Sequence, residues 1–403
     1  MVTDLKLPAP LAGTRFVLGS TVLTHFGAGT INELPGIVRS TGSSAVLVVT
    51  DPMLATTPVM ARVLEELAKS GIRAAVFAGV HPNPTTRDVA AGAQVAARLA
   101  MEVGLVTLVA LGGGSSIDAA KGIALAAVNP ERGRGLDYRK VFAHRALPIV
   151  AIPTTAGTGA ETNAFGVVTD PDSRRKFYVG DATTLPFAAI LDPELTISLP
   201  RKATAATGMD ALVHALESFM SVRSNPWSAG IALQVIRMVS TYLPRAVADG
   251  SDREARSQML LASHMAAVGM ANTGLGICHA IAHPIGGLFD IAHGEALAAV
   301  LPGVLRFNLP ACEERLAAVA FACGVGDTSF DDASNAAAAI RAITALAIRV
   351  GLTRGLADFG IAETDFHQIA TDALGDEVID NTPRPACEED ILGILYGALA
   401  GAS

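Results

Sequence analysis

The chain has 403 residues, half of them hydrophobic and 17% charged, with a formal net charge of −8. This length accommodates two or three domains with sizeable cores, and the composition excludes a disordered chain. The acidic balance, with no basic run, argues against a nucleic-acid partner.

The N-terminal MVTDLKLPAP carries neither a basic n-region nor an apolar h-region, so no secretion signal is expected. The segment Thr14–Phe26 is expected to add a hairpin at a sheet edge. Short apolar, β-branched runs follow at Ala45–Thr50, Ala74–Val80, Leu105–Leu111, Leu147–Ile152 and Phe187–Leu191. Helical stretches such as Val59–Ser70 and Thr86–Val103 lie between several of them. Continuous apolar strands alternating with helices predict a parallel sheet covered on both faces.

After Asp192–Pro200 the strand-like runs stop, and helical periodicity takes over at Ala203–Val222, Pro226–Ala248, Asp252–Met270, Ala311–Cys323 and Asp332–Val350. The expected organisation is α/β plus all-α: a parallel-sheet domain over 1–195 and a helical domain over 196–403. From Gln258 to Phe289 there is no Asp, Glu, Lys or Arg, long enough to cross a bilayer. That stretch holds three histidines, Asn272, Pro284 and several glycines, so a buried helix pair is expected and no membrane span. The four cysteines (Cys278, Cys312, Cys323, Cys387) form no CxxC pair, which points to a reducing cytoplasm and away from a cysteine metal cluster.

LVTLVALGGGSSIDAAKGIALAA reads strand, glycine loop, helix. Gly112, Gly113 and Gly114 allow close backbone approach, and a helix starting near Ser115 or Ser116 would aim its free N–H groups at a phosphate. Ser115 and Asp118 also have the spacing of a capping box, so a plain capped turn is an equal reading of this stretch. The spacing is not GxGxxG. The carboxylate that could hold an adenosine ribose, Asp51, lies upstream at a strand end. It would repel a 2′-phosphate and so favours NAD over NADP; alone, it reads better as a turn cap before Pro52. IPTTAGTGAETN follows another strand and offers Thr154, Thr155 and Thr158. Two strand ends with small, donor-rich loops suggest one crevice at the carboxyl edge of the sheet.

In TGMDALVHALES, Asp210 and His214 are one helical turn apart and can grip one cation or simply pair with each other. CHAIAHPIGGLFDIAHG carries His279, His283 and His293 in a segment whose other residues are mostly apolar or glycine. Buried imidazoles need a proton, a hydrogen bond or a metal. Pro284 and Gly286–Gly287 are expected to break or kink the helix, and His293 to begin another that returns towards the earlier histidines. Asp210 and His214 with His293 and one of the two earlier histidines make an Asp/His/His/His set that suits Fe(II) or Zn(II), leaving one histidine to relay a proton.

LGGGSSIDAAKGIA, PTTAGTGAETN, GMDALVHALES and GLGICHAIAHPIGGLFDIAHG, in this order, resemble the iron-containing (group III) alcohol dehydrogenases. VVTD, HPNPT, RRKF and NTPRP extend the likeness over nearly the whole chain. The resemblance implies a Rossmann-like N-terminal domain, a helical C-terminal domain and a cleft between them. It implies metal ligation by Asp210, His214, His279 and His293, with His283 near the nicotinamide and available for proton relay. It implies NAD(P) contacts from Asp51, Asn83, Gly113, Gly114, Ser115, Thr154, Thr155, Thr158 and Lys176, to which Asp118 of the glycine-loop helix is added. It further implies a small alcohol or aldehyde substrate and a homodimer or larger assembly.

Two alternatives stay open. Maleylacetate reductases share the fold and tend to carry Asn at position 210 and PTTYAGSE in the threonine loop; Cys278–His279 and Gly286–Gly287 resemble them. Dehydroquinate-synthase-like cyclases also use NAD and a metal, but need clustered Lys and Arg that are missing around 210–217 and 278–294. Met270 stands where many of the alcohol dehydrogenases have an aromatic residue, so the substrate is not carried over.

Overall fold

The computed structural model describes residues 22–130, 135–172 and 175–401. They divide into two compact units, one ending at Ser198 and one beginning at Leu199.

In the first unit the chain order is β1 (Leu23–Phe26), α1 (Leu34–Ser40), β2 (Ala45–Val49), α2 (Pro58–Lys69), β3 (Arg73–Phe77), α3 (Thr86–Val103), β4 (Val106–Gly112), α4 (Gly114–Ala126), β5 (Ile149–Pro153), β6 (Phe165–Asp170), β7 (Arg175–Gly180) and β8 (Ala188–Leu191). Six strands form one sheet in the order β1-β8-β5-β4-β2-β3, every neighbouring pair parallel. Alternate residues of a strand serve opposite faces. Leu47, Val49, Leu108 and Ala110 join a core that includes Val89 of α3 and Ile117 of α4. Val46, Val48, Val109 and Leu111 join a second core with Val38 of α1 and Val63 of α2. Burial on both faces is why these strands read as unbroken apolar runs.

The expected hairpin over Thr14–Phe26 lies mostly outside the described residues; Leu23–Phe26 forms a parallel edge strand on β8. The hairpin that does appear, β6–β7, is an antiparallel pair that sequence patterning missed. Its Gly166 abuts the Asp118 backbone of α4.

The second unit is helical: α5 (Arg201–Met220), α6 (Pro226–Ala248), α7 (Arg253–Met270), α8 (Ile277–Phe289), α9 (His293–Ala322), α10 (Asp332–Arg349), α11 (Phe366–Leu374) and α12 (Glu388–Gly397). The expected helix Ala311–Cys323 is the second arm of α9, which departs from helical geometry at Cys312, two residues after Pro310. The charge-free stretch is α7 and α8 with a break between them, and no helix among the described residues is long and apolar enough to cross a membrane. Of the expected break or kink at Pro284, the break does not occur. α8 continues through it to Phe289 and stops at Asp290, whose φ of 52° is left-handed. One missing N–H is tolerated because Ala280 to Ala282 and Pro284 to Gly286 are buried and packing holds the helix.

α5 matters most for the site. It is buried on nearly every side from Thr204 to Met220, as expected of a helix at the centre of a bundle. Any titratable group on it must find a partner inside the protein.

Candidate metal centre and cofactor loops

Asp210, His214 and Glu217 sit at i, i+4 and i+7 of α5 and therefore share one face. α8 brings His279 and His283 to that face, and α9 begins at His293. The start of α9 comes close because residue 294 is glycine: a Cβ there would run into the Ala206 carbonyl of α5.

Three imidazoles converge on one carboxylate oxygen. The Nε2 atoms of His214, His279 and His293 lie 3.4, 3.5 and 3.8 Å from Asp210 Oδ1. Ligand atoms of Asp210, His279 and His293 all lie within 4.8 Å of one another. The contacts are longer than good hydrogen bonds, roughly 2.7–3.2 Å. They do match the edge of a tetrahedron around a cation with bonds of about 2.0–2.1 Å, which is about 3.4 Å. Asp210 Oδ1 and His279 Nε2 are buried and have no hydrogen-bond partner in the protein, a costly state unless a ligand engages them. The donors are one carboxylate and imidazole nitrogens, which fits a divalent first-row cation.

For Asp210 and His293 the electrostatics agree, whereas His279 has to give up a proton to bind a cation. Burial pushes the Asp210 carboxyl up, but the surrounding imidazoles of His214, His279 and His293 outweigh it and hold the group below the usual carboxylate range. Burial holds His293 well below its ordinary value against the opposing pull of Asp210, leaving a neutral ring with a lone pair to give. Burial also lowers His279, yet the Glu217 and Asp210 carboxylates raise it to about 9.

Two residues that the sequence reading missed complete the centre. Glu217 Oε2 lies 2.6 Å from His279 Nδ1 and accepts from Gly276 N at 2.8 Å, while Oε1 accepts from Cys278 N at 2.7 Å. α8 has no side-chain cap of its own, so Glu217 caps it from another helix and aims His279 by the same contact. Asp376 Oδ2 lies 2.6 Å from His283 Nδ1. The His283 ring stacks on His293, centroids 5.6 Å apart, and is a quarter exposed where His279 is sealed. Glu217 was visible as the third member of the i, i+4, i+7 series; Asp376 falls in no motif.

In the first unit, Asp51 follows β2, the glycine loop follows β4 and the threonine loop follows β5, at the carboxyl ends of adjacent parallel strands. The chain leaves β2 for β3 on one side and returns to β4 on the other, which makes this a topological switch point, where open α/β sheets bind ligands. The two loops touch: a Cβ on Gly114 would meet Thr158 Cγ2 at 2.8 Å, and Thr154 N donates to Gly112 O at 2.9 Å. Lys176 Nζ donates to Asn83 Oδ1 at 3.0 Å, so that pair is also joined.

Asp51 Oδ1 accepts from Met53 N and Leu54 N at 2.9 and 2.8 Å, the cap anticipated as its plain reading. The capping box between Ser115 and Asp118 is not formed. α4 starts at Gly114 with Gly113 as its N-cap, so Ser115 is already inside the first turn. Asp118 Oδ2 instead accepts from Val167 N of β6 at 3.1 Å, turned away from the free N–H groups of the helix start. Burial raises its carboxyl to about 6, opposed by Lys121. Lys121 is fully buried and donates to Ala160 O, Asn163 Oδ1 and Phe165 O at 2.7, 2.8 and 2.6 Å, clamping the end of the threonine loop to α4.

Residues 22–193 match the profile described as iron-containing alcohol dehydrogenase, and residues 204–399 that of the C-terminal part of the Fe-containing alcohol dehydrogenase family. The chain is 38% identical over 378 residues to an NAD-dependent methanol dehydrogenase of Bacillus methanolicus, covering 93% of this chain and 97% of that one. It is 34% identical over 388 residues to a lactaldehyde reductase of Escherichia coli K12, covering 95% and 99%. Among solved structures, a 1,3-propanediol oxidoreductase superimposes with a TM-score of 0.91 at 36% identity, covering 96% of this chain and all of that one.

Proposed function

Because the chain belongs to the iron-containing alcohol dehydrogenase family, and so is an oxidoreductase of the alcohol dehydrogenase and aldehyde reductase type, we propose how its residues divide the work. Asp210, His214, His279 and His293 hold one divalent cation, Fe(II) first and Zn(II) second. Asp51, Asn83, Gly113, Gly114, Ser115, Thr154, Thr155, Thr158 and Lys176 bind NAD in preference to NADP. The first unit thus carries the dinucleotide and the second the metal. The single observation behind the metal assignment is the convergence of three imidazole nitrogens on Asp210 Oδ1 at tetrahedral-edge distances.

When bound, the cation supplies a Lewis acid for the oxygen of a small alcohol or aldehyde, and the dinucleotide the hydride acceptor or donor. Oxidation of CH–OH to C=O with hydride leaving also releases one proton. His283 is suited to take it. Its Nδ1 side is engaged by Asp376, which fixes the tautomer and leaves Nε2 to exchange a proton. Glu217 keeps the His279 ring in the ligating orientation, and the buried walls of α5 and α8 exclude competing water. Asp118 keeps its place here only as a support of β6, not as a direct dinucleotide contact. Four free cysteines suit a reducing cytoplasm; a homodimer or larger assembly follows from the family likeness and is checked by light scattering.

The test is anaerobic. Protein stripped with chelator is given Fe(II) or Zn(II) separately, and NADH loss is followed with short aldehydes, semialdehydes and maleylacetate. Metal-restored reduction of an aldehyde is expected and identifies the metal and the substrate class. Metal-independent reduction of maleylacetate alone would overturn the assignment in favour of the reductase branch.

A further inference from the structure

The motif NTPRP near the C-terminus has no part in the reading above. Asn381 ends a tight turn, Glu377–Asn381. Its Nδ2 donates to Leu275 O at 3.0 Å, just before α8, and its carbonyl accepts from Val222 N at 3.1 Å, just after α5. The turn is thereby tied to the ends of α5 and α8, two of the three helices that carry the proposed metal ligands. Beside it lies a small pocket whose polar walls are Glu217, Gly276, Asn308, Asn381 and Thr382.

The pocket has about 10 Å³ open to a water-sized sphere, close to the roughly 10–15 Å³ that one water requires. Asn308 Oδ1 and Thr382 Oγ1 are buried and have no hydrogen-bond partner in the protein. Their residues are 2% and 6% exposed, so bulk water does not serve them. Leaving such atoms unpaired forfeits their hydration with nothing in return. An amide oxygen can only accept and a hydroxyl can donate. A carboxylate has about four acceptor positions; Glu217 fills three with short bonds from Gly276 N, Cys278 N and His279 Nδ1, and His279 N reaches it only at 3.4 Å. Dry cavities are apolar; a polar one of this size holds a water with two to four partners.

We propose that this pocket binds one ordered water. It donates to Asn308 Oδ1 and to the Glu217 carboxylate, and it accepts from the Thr382 hydroxyl. The water joins α9, the NTPRP turn and α5, and it braces the carboxylate that aims His279. Thr382 and Asn308 are therefore positioning residues for a metal ligand, which rests on the metal reading given above.

A crystal structure of the full chain, at a resolution that places waters, is expected to show a density peak within hydrogen-bond distance of Asn308 Oδ1, Thr382 Oγ1 and Glu217. Thr382→Val keeps the shape but cannot donate. It is expected to weaken Zn(II) binding in a chelator competition by about 3–10-fold, less than the roughly 10–100-fold seen when a group bonded directly to a ligand is lost. Thr382→Ser restores the hydroxyl and is expected to recover the affinity. A dry pocket overturns the proposal, as does Thr382→Val with wild-type affinity or Thr382→Ser without recovery. Should Thr382→Val fail to fold, the wild-type density and Thr382→Ser still decide. Wild-type protein that shows the water but binds neither Fe(II), tested anaerobically, nor Zn(II) stoichiometrically upholds the water site and overturns the metal reading.

Discussion

Lys121→Met replaces a fully buried ammonium by an apolar chain of similar length. Nζ has three oxygen acceptors within 2.8 Å and Asp118 Oδ1 at 3.9 Å. The variant leaves those acceptors unserved and a buried carboxylate without its cation. Breaking a buried charged network in this way costs about 3–5 kcal/mol, out of a total of about 5–15 kcal/mol for a folded protein. Urea unfolding followed by far-ultraviolet circular dichroism measures it. The pH dependence supplies a second check. Burial lowers Lys121 from its ordinary 10.5 to about 8, with Asp118 and Glu161 limiting the fall. Between these values the unfolded chain holds a proton that the folded chain does not, so this group makes stability rise with pH, by at most about 1.4 kcal/mol per pH unit. The contribution is complete above the unfolded value and is lost as pH falls through about 8. The variant lacks this slope, so the stability gap between wild type and Lys121→Met widens from pH 8 upward. A loss below about 1 kcal/mol, the worth of one ordinary hydrogen bond, or parallel pH curves would refute the reasoning.

Four further outcomes are expected. His279→Ala should abolish metal retention and turnover, whereas His283→Ala should keep the metal, measured by elemental analysis, and slow turnover. Glu217→Gln preserves shape but sets an amide N–H against the donors that now meet Oε2; Zn(II) affinity by chelator competition should fall by about 10–100-fold. Gly114→Ala pushes a methyl into Thr158 and should raise the dissociation constant of NADH in a fluorescence titration while costing about 1–3 kcal/mol of stability. Asp51→Asn keeps the capping oxygen but removes the charge; the ratio of NADP to NAD efficiency should rise with the melting temperature unchanged, and a melting shift without a change of ratio would reduce Asp51 to a cap.

The central strands were legible because both faces are buried, which makes AVLVV and VTLVALG continuous apolar runs. The hairpin β6–β7 was not, since FGVVTD and RKFYVG lie beside the sheet and their burial is mixed, so they lack that pattern. The five ligand candidates stood out because Asp210–His214 and the histidine-rich segment violate the apolar character of their surroundings; that His283 was the one to leave out came from the family resemblance alone. Glu217 stood inside a quoted motif at i+7 from Asp210, which marks its face of the helix but not its partners. Its partners Gly276, Cys278 and His279 are some sixty residues away in sequence, and only folding brings them together. Local spacing misled at Asp118, where a long-range backbone donor outcompeted the cap, and at Pro284, where packing carried the helix past a residue that ends most helices.

Glu217 binds the amides of Gly276 and Cys278 and the ring of His279 with the same two oxygens. The first turn of α8 therefore cannot fray without releasing the imidazole, and the imidazole cannot swing out without uncapping the turn. The free energy of local opening at this turn and the strength of the grip on a cation are two readings of one quantity. Amide hydrogen exchange at Cys278, whose N–H is held by Glu217, thus becomes a gauge of how tightly the centre is loaded.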